Sequence, residues 1–548
     1  MRILGISPLH DSSVAIVNDG VLEYFCKEER LSRVKRDSYP VLAIEEALKH
    51  SKGKIDMAVI SSPTFTAWDN YFISLALKKR LKIPVSRLCH HHHLTHAGLA
   101  FYNSGFKKAL VVVIDRNGSD LGSFRESETV FTAEYPFKFK PLYKTFWTFN
   151  KRSKKEINKD LKKLKWNKCK LIADSAFNIT KVYETGTTLI GQHPLENGKT
   201  MGLAAYGIDK DYPDLFIKDR PNSKLFTHQT GFNEPAILKA HIKKKVKNVP
   251  TKNFKLYADH AFQVQKQTQQ QVLNLVKKYV NKTKINKVCL TGGYALNVVT
   301  NEYLVKNLPD VEFYFEPLAD DSGNSIGAAL VTHYNETKDK TIRPLKHTFF
   351  NNTKHTLTLR SLWSKFQRRG LDNLKPSDVA HHLSKGKIVA VYNGVAEGGP
   401  RALGNRSILF DPRNTDAKNI VNQVKKREWY RPFAASVLET HFTKMFHTHG
   451  LTKSPFMTLS FQVKCRGIPG VIHVDNSCRV QTVSEENGYF YNLLNEFYSI
   501  TKVPALLNTS FNLAGEPLIE TIEEAIDAFN NTGIDVLWFP ENNKGLIK

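Results

Sequence analysis

Polar and apolar positions alternate at the start of the chain. Two short runs, Ile3–Ser7 and Ser13–Val17, read as strands, and a third, Val21–Lys27, follows the turn Asn18-Asp19-Gly20. An Asp-Gly pair between such runs predicts a tight hairpin, because these residues tolerate the left-handed backbone that the turn needs. Apolar runs that suit strands recur at Ala109–Asp115, Lys287–Thr291 and Val311–Phe315, with helical stretches between them. The clearest helix is predicted over Tyr257–Val280, where Phe262, Val264, Val272, Leu273 and Val276 supply one apolar side. Strands mixed with helices place the chain in the α/β class. No repeat of about 20 to 50 residues is visible, which argues against a solenoid or propeller. The polar stretch Asn335–Thr356 reads as a linker, and a new strand signal at Lys387–Tyr392 opens a second unit. The expected domains are 1–350 and 351–548.

Composition narrows the class. The 548 residues exceed what one core usually organises, and 41% hydrophobic with 24% charged residues is globular, not disordered, composition. No run approaches the roughly 18 to 20 apolar residues of a membrane-spanning helix, and the N-terminus lacks a signal-peptide pattern. The six cysteines form no CxxC pair, which argues against a cysteine zinc site and fits a reducing compartment. A cytoplasmic protein with no membrane partner is expected.

The net charge of +27 favours polyanionic partners. Lys138–Lys170 holds thirteen Lys or Arg against two acids, interleaved with Phe139, Tyr143, Phe146, Trp147, Phe149 and Trp166. A second cluster comprises Lys239, Lys243, Lys244, Lys245, Lys247, Lys252 and Lys255. Lysines beside rings suit a groove that tracks phosphates and stacks bases. A solvated lysine-rich face is the alternative.

In HHHHLTHA (His90–Ala97), His92 and His96 share a face if the segment is helical, and imidazole pairs serve iron, zinc or nickel alike. Asp321, in ADDSGNSIGAA, would complete a two-histidine, one-carboxylate set, although its spacing equally suits a helix N-cap. Three Gly-rich turns, LTGGYALN (290–297), GKTMGLAAYG (198–207) and IDRNGSD (114–120), let backbone approach a nucleotide, and Lys199 offers a phosphate contact. Together with the opening hairpin they point to an actin/hexokinase-like nucleotide fold. The second half carries NGVAEGGPRALGNRSIL, VKKREWYRPFAAS, HVDNSCRVQ and LLNTSFN. These strings supply Arg401, Arg406, Lys425, Arg427, Arg431 and Arg479, with Asn508, Thr509 and Ser510. Converging cations of this kind hold phosphates.

These strings, in order, resemble the O-carbamoyltransferase family of nodulation-factor, cephamycin and aminoglycoside carbamoyltransferases. The resemblance implies an N-terminal actin/hexokinase-like domain similar to tRNA threonylcarbamoyl transferases. It also implies a C-terminal domain similar to threonylcarbamoyl-adenylate synthases. The family chemistry it implies forms carbamoyl-adenylate from carbamoyl phosphate and ATP with Mg in the C-terminal domain. An acceptor hydroxyl then takes the carbamoyl group in the N-terminal domain. Carried over, His92, His96 and Asp321 match metal ligands, with iron(II) the expected ion. His10 matches the general base, with a hydrogen-bonded turn histidine as the alternative. Gly292, Gly293 and Asn297 match an adenosine loop, and Lys199 a phosphate loop. Arg401, Lys425, Arg431, Arg479, Asn508 and Ser510 match the carbamoyl-phosphate and ATP site. The chain departs from the family at His91, where Asp is usual, at Asp115-Arg116-Asn117-Gly118, where DGxG is expected, and at Gly398. The charge leans the acceptor towards a hydroxymethylated pyrimidine in DNA. The alternatives are a sugar or antibiotic acceptor, a threonylcarbamoyl enzyme, and a non-catalytic nucleic-acid binder on the same fold.

Overall fold

The hairpin forms where the Asp-Gly pair predicts it, with Asp19 and Gly20 at φ 47° and 77°. It joins β2 (Ser13–Asn18) to β3 (Val21–Lys27), and β1 (Arg2–Ser7) pairs antiparallel with β2 from Arg2↔Asn18 to Ser7↔Ser13. The computed structural model describes residues 1–8, 10–52, 54–63, 68–89, 91–122, 124–148, 153–163, 169–174, 178–210, 212–222, 225, 254–351 and 371–548. Two units divide the chain: Met1–Glu23, Ser38–Pro40 and Ala47–Lys346 form the first, and Tyr24–Asp37, Val41–Glu46 and His347–Lys548 the second.

The first unit repeats one sheet topology. In one sheet, β4 (Met57–Ser62) runs parallel to β1, and β5 (Val85–Cys89) parallel to β4, giving the order β3-β2-β1-β4-β5. The other sheet contains β6 (Lys108–Ile114), β7 (Phe124–Glu134), β8 (Lys138–Thr148) and β9 (Lys170–Asp174). After a two-stranded pair, β10 (Phe216–Ile217) and β11 (Arg220–Pro221), come β12 (Lys287–Thr291) and β13 (Glu312–Phe315). Its order β13-β12-β6-β7-β8-β9, read backwards from β8, is the same antiparallel meander followed by two parallel strands. This duplicated α/β arrangement is the actin/hexokinase-type architecture. It is a repeat too long and too divergent for the sequence to display.

Helices fill the connections: α1 (His92–Ser104), α2 (Lys154–Lys163), α3 (Ile179–Leu189), α4 (Asn197–Ala204), α5 (Phe254–Thr283), α6 (Val298–Asn307) and α7 (Asn324–Thr337). The predicted helix Tyr257–Val280 lies inside α5. Glycines set how closely α1 and α7 cross: a Cβ on Gly327 would lie 2.0 Å from the Thr95 carbonyl oxygen, and one on Gly98 would lie 2.2 Å from Val331. The expected linker is only partly loop. Asn335–Thr337 finish α7 and Phe349–Asn351 form β14, while 352–356 lie outside the described residues.

The second unit is one mixed sheet of nine strands. They are β15 (Asp372–Asn373), β16 (Val389–Tyr392), β18 (Arg406–Phe410), β19 (Ala434–Leu438), β20 (Ser460–Gln462), β21 (Ser477–Val483), β22 (Ala505–Ser510), β23 (Val536–Phe539) and β24 (Lys544–Ile547). The order is β15-β24-β23-β16-β18-β22-β19-β21-β20, with β17 (Ala396–Glu397) paired separately to β14. Helices α8 (Pro376–Ser384) and α9 (Tyr489–Thr501) bury Leu383, Phe490, Leu493 and Phe497 with Trp538 in its core.

Candidate active site

Four buried side chains meet in the first unit. His92 and His96 sit one turn apart at the start of α1, and their Nε2 atoms are 3.2 Å from each other. Asp321 Oδ1 lies 3.4 Å from His92 Nε2 and 3.3 Å from His96 Nε2, and Asp115 Oδ2 lies 3.4 Å from His92 Nε2. The ligand atoms of the four all fall within 4.8 Å of one another. Asp321 is free for this because its neighbour does the capping: Asp320 accepts from the Ser322 amide at 3.1 Å. Two carboxylates and two imidazole nitrogens aimed at one point from buried positions form a donor set that suits a divalent cation. The carboxylates push the His92 pKa up to about 10 against its burial. The imidazoles in turn hold Asp115 and Asp321 well below the usual carboxylate range, although burial alone would raise them.

His10 borders this cluster. Its Nε2 is 3.5 Å from Asp321 Oδ2, and its Nδ1 is 3.1 Å from Asp11 Oδ2. The Asp11 hydrogen bond, opposed by burial and helped by Asp321 and Asp115, pushes the His10 pKa up to about 9. The glycine loop arrives from β12. Gly292, at φ 86°, passes so close to β6 that a Cβ would lie 2.4 Å from the Ile114 carbonyl oxygen, and the Gly293 amide donates to Asp115 Oδ1 at 3.1 Å. Asn297 caps α6 through the Thr300 amide and donates to Gln265 Oε1 at 2.9 Å. Lys199, in α4, pairs with Glu196 at 2.9 Å and donates to Gln192 at 3.0 Å.

In the second unit the sheet aligns its site by register. Ala434 on β19 pairs with Arg479 on β21 and with Asn508 on β22, so these two side chains flank a small residue on one face. Burial together with Arg479 and Arg431 drives the Arg401 pKa down, and burial pushes Arg479 down to about 10. Burial, with Arg427, Arg431 and Lys35 behind it, drives Lys425 well down. That mutual repulsion is the mark of cations converging on one place, which an anion would relieve. Lys425 Nζ donates to the Ser510 carbonyl oxygen, and to the Asn512 carbonyl oxygen at 2.8 Å, tying down the NTSFN loop. Asn508 Nδ2 donates to Ser436 Oγ at 2.9 Å, and Ser510 Oγ donates to Asn512 Oδ1 at 2.6 Å. The GPRALGNR turn is organised by buried Glu397, whose carboxylate accepts from the amides of Leu403, Asn405 and Arg406.

Residues 66–330 match the model of the carbamoyltransferase N-terminus, and residues 380–543 that of the carbamoyltransferase C-terminus. Nodulation protein NolO of Bradyrhizobium diazoefficiens is 30% identical over 81% of this chain and 77% of its own. The chain belongs to the carbamoyltransferase family. The 3'-hydroxymethylcephem-O-carbamoyltransferase of Amycolatopsis lactamdurans is 30% identical to this carbamoyltransferase over 45% of its chain and 46% of the relative's. The solved structure of full-length HypF in its phosphate- and nucleotide-bound form overlaps it with a TM-score of 0.39 at 14% identity, covering 61% of this chain and 55% of that one.

The structure adds two residues to the candidate site that the sequence reading missed. Asp115 was read only as a strand end before a departure from DGxG; the strand ends at Ile114, and the aspartate turns to His92. Lys35, in the second unit, acts on Lys425 and donates to the Glu516 carbonyl oxygen at 3.3 Å. One cation drops out of the converging set. Arg406 stacks 3.7 Å from the centre of the Tyr392 ring and donates to the Asn393 and Gly394 carbonyl oxygens. Arg427 lies over Phe433 and donates to the Pro432 carbonyl oxygen at 3.0 Å, yet burial with Arg431 and Arg479 drives its pKa well down, so it stays among the converging cations. Among the described residues of Lys138–Lys170, the rings and lysines divide between buried and exposed positions. Tyr143, Phe146 and Trp147 are buried, Phe139 packs on Phe101 and Tyr102, and Lys144 is buried against Glu126. Lys138, Lys140, Lys155, Lys159 and Lys162 are exposed. Phe149 and Trp166 lie outside the described residues, as does the second lysine cluster apart from Lys255.

Proposed function

We propose that this carbamoyltransferase works on hydroxyl groups in two ATP-dependent stages. In the second unit, water hydrolyses carbamoyl phosphate to carbamate and inorganic phosphate, and the carbamate oxygen attacks the α-phosphate of ATP held with Mg. Pyrophosphate leaves, and carbamoyl-adenylate forms. In the first unit, an acceptor hydroxyl attacks the carbamoyl carbon and AMP departs with the bonding electrons. The observation that carries this reading is that one unit holds converging buried cations and the other a buried acid–imidazole cluster. The cations Arg401, Lys425, Arg431 and Arg479 suit the phosphates of the first stage, and the acid–imidazole cluster suits a cation-assisted second stage.

His92, His96, Asp115 and Asp321 would hold the cation, iron(II) by family likeness, and when bound it supplies charge neutralisation for the nucleotide phosphate oxygens. His10 takes the proton of the acceptor hydroxyl at Nε2, while Asp11 orients the ring through Nδ1. A base must first be neutral, and relief of the Asp321 charge removes one influence that holds His10 protonated. Gly292 and Gly293 give the adenosine close backbone access, with Asn297 fixing the helix behind them. Lys199 reaches a phosphate by exchanging its Glu196 partner for it.

For the acceptor, the exposed lysines of β8 and α2 and the +27 charge support a hydroxymethylated pyrimidine in DNA, presented out of the stack. A small sugar or antibiotic hydroxyl is the second reading, favoured by the burial of the β8 aromatics and by the cephem-modifying relative. Mass spectrometry after incubation with ATP and carbamoyl phosphate separates them. Carbamoylated hydroxymethylcytosine DNA, with less product at high salt, supports the DNA reading. Transfer to a free sugar with none to DNA overturns it, and absence of pyrophosphate release overturns both stages.

A further inference from the structure

A pocket opens beside β7, β8 and β9 that none of the candidate site residues lines. It encloses about 140 Å³ and opens to solvent at its mouth. Tyr143, Phe146, Ile172, Ile179 and Phe216 supply buried apolar and aromatic walls. Glu128 and Asn178 lie deeper. The Glu128 carboxyl accepts from the Ile179 amide at 3.0 Å and from the Thr145 hydroxyl. Asn178 is 8% exposed; its Oδ1 accepts from the Lys181 amide at 3.1 Å and caps α3, whereas its Nδ2 has no hydrogen-bond partner among the described residues. A buried amide donor left unpaired is unfavourable unless a ligand takes it. Arg220, Asp219 and Lys278 are exposed at the mouth. Lys170 lies near enough that burial, Lys278 and Arg220 lower its pKa, so cations crowd this rim.

We propose that this pocket binds a nucleotide unit, with the heterocycle between the aromatic walls, an acceptor atom of the ring on Asn178 Nδ2, and the phosphate on Lys170, Arg220 and Lys278. The walls favour a flat ring over a sugar, the unpaired amide favours a ring with a carbonyl or ring nitrogen over a lipid chain, and the rim supplies the anion contact. Burial pushes the Glu128 pKa up to about 7, so its carboxyl is partly protonated at neutral pH and offers both a donor and an acceptor to the ring edge. The inference stands apart from the two-stage reading, because it concerns a pocket that the Gly292 loop and the histidine cluster do not line. A free nucleotide and a nucleotide within a single strand share this chemistry.

Calorimetric titration of the full chain with dCMP and with an eight-residue deoxycytidine oligonucleotide tests it. Asn178→Ser keeps a good helix cap but deletes the amide donor, and Lys170→Ala/Lys278→Ala removes two rim charges. Both variants are expected to weaken binding at least tenfold with unchanged melting temperature, while His92→Ala leaves it unchanged. Equal affinity for the two probes identifies a free nucleotide, and at least tenfold tighter oligonucleotide binding identifies a strand. No saturable binding of either probe at millimolar concentration, binding indifferent to both pocket variants, or binding lost in His92→Ala overturns the assignment. None of these readings requires AMP formation, so the pocket and the two-stage reaction fail separately.

Discussion

Lys144→Met breaks a buried ion pair that supports the loop carrying Asp115. Lys144 and Glu126 are 5% and 2% exposed, and their ammonium and carboxylate are in contact. Glu126 also accepts from the Ser119 amide at 3.2 Å through its carboxylate and from the Gly118 amide at 2.7 Å through its carbonyl oxygen, so it braces residues 115–119. Burial alone would raise the Glu126 pKa, but His93 and Lys144 hold it well below the usual carboxylate range. His93 gives little charge of its own, since burial pushes its pKa down to about 3. Removing the lysine therefore leaves a buried carboxylate without its cation, a loss of about 3–5 kcal/mol. At roughly 2 °C per kcal/mol for a unit of this size, the melting temperature should fall by about 6–10 °C. Lys144→Met/Glu126→Gln removes both charges and keeps an acceptor for Ser119, so it should recover more than half of that loss. Divalent-metal affinity, measured by titration, should fall about 10- to 100-fold in the single variant because a bracing contact behind a ligand is lost. A fall of less than 2 °C in Lys144→Met, or a double variant no more stable than the single one, would refute this reasoning.

Glu128 and Glu316 are buried groups whose pKa burial pushes up to about 7, against roughly 4.3 in the unfolded chain. The folded state keeps protons that the unfolded state has released, so their contribution is complete below about pH 4.3 and is lost as pH rises through 7. Each is worth about 3–4 kcal/mol over that window, and melts at pH 5, 6 and 8 should flatten in Glu316→Gln; an unchanged slope counts against it. Asp115→Asn is expected to lower carbamoyl transfer and AMP release at least about 100-fold while pyrophosphate release persists, and Arg479→Ala to abolish pyrophosphate release, both read from product assays. Gly292→Ala meets both a left-handed backbone and the Ile114 carbonyl oxygen, and denaturant unfolding should show a loss of at least about 2 kcal/mol. If α2 carries DNA, Lys155→Glu/Lys159→Glu/Lys162→Glu should reduce the slope of log affinity against log salt by about 3, measured by anisotropy.

What the sequence displayed was local. The Asp19-Gly20 turn and the predicted strand Lys287–Thr291 reappear because turn chemistry and apolar runs act over a few residues. His92 and His96 were legible as a pair because helical spacing alone aligns them. Asp115 was not legible, since its approach to His92 depends on β6 lying beside β12 and on the α1–α7 crossing, which are set over hundreds of residues. Arg406 and Arg479 look alike in the sequence, yet one is consumed by a ring and backbone carbonyl oxygens while the other faces its fellow cations. The β8 segment misleads for a related reason: composition reports rings and lysines together, whereas Phe139 packs on Phe101 and Tyr102 and Lys144 is buried against Glu126.

The duplicated topology accounts for where the first site forms. In each half the first strand ends in a turn before the meander continues: Ser7 leads to His10 and Asp11, and Ile114 leads to Asp115. These are equivalent positions, so two copies of one fold bring equivalent turns to a common centre, His10 touching Asp321 and Asp115 touching His92. The remaining ligands come from α1 and from the turn that leads into α7, whose crossing is held close by Gly98 and Gly327. A polar substitution in either turn should therefore disturb the cluster without disturbing the sheets. Enlarging either glycine should move the imidazoles away from Asp321 as a body. The sequence departure Asp115-Arg116-Asn117-Gly118 fits this geometry, because Arg116 turns aside to pair with Glu184 at 2.8 Å and leaves Asp115 to face the histidines.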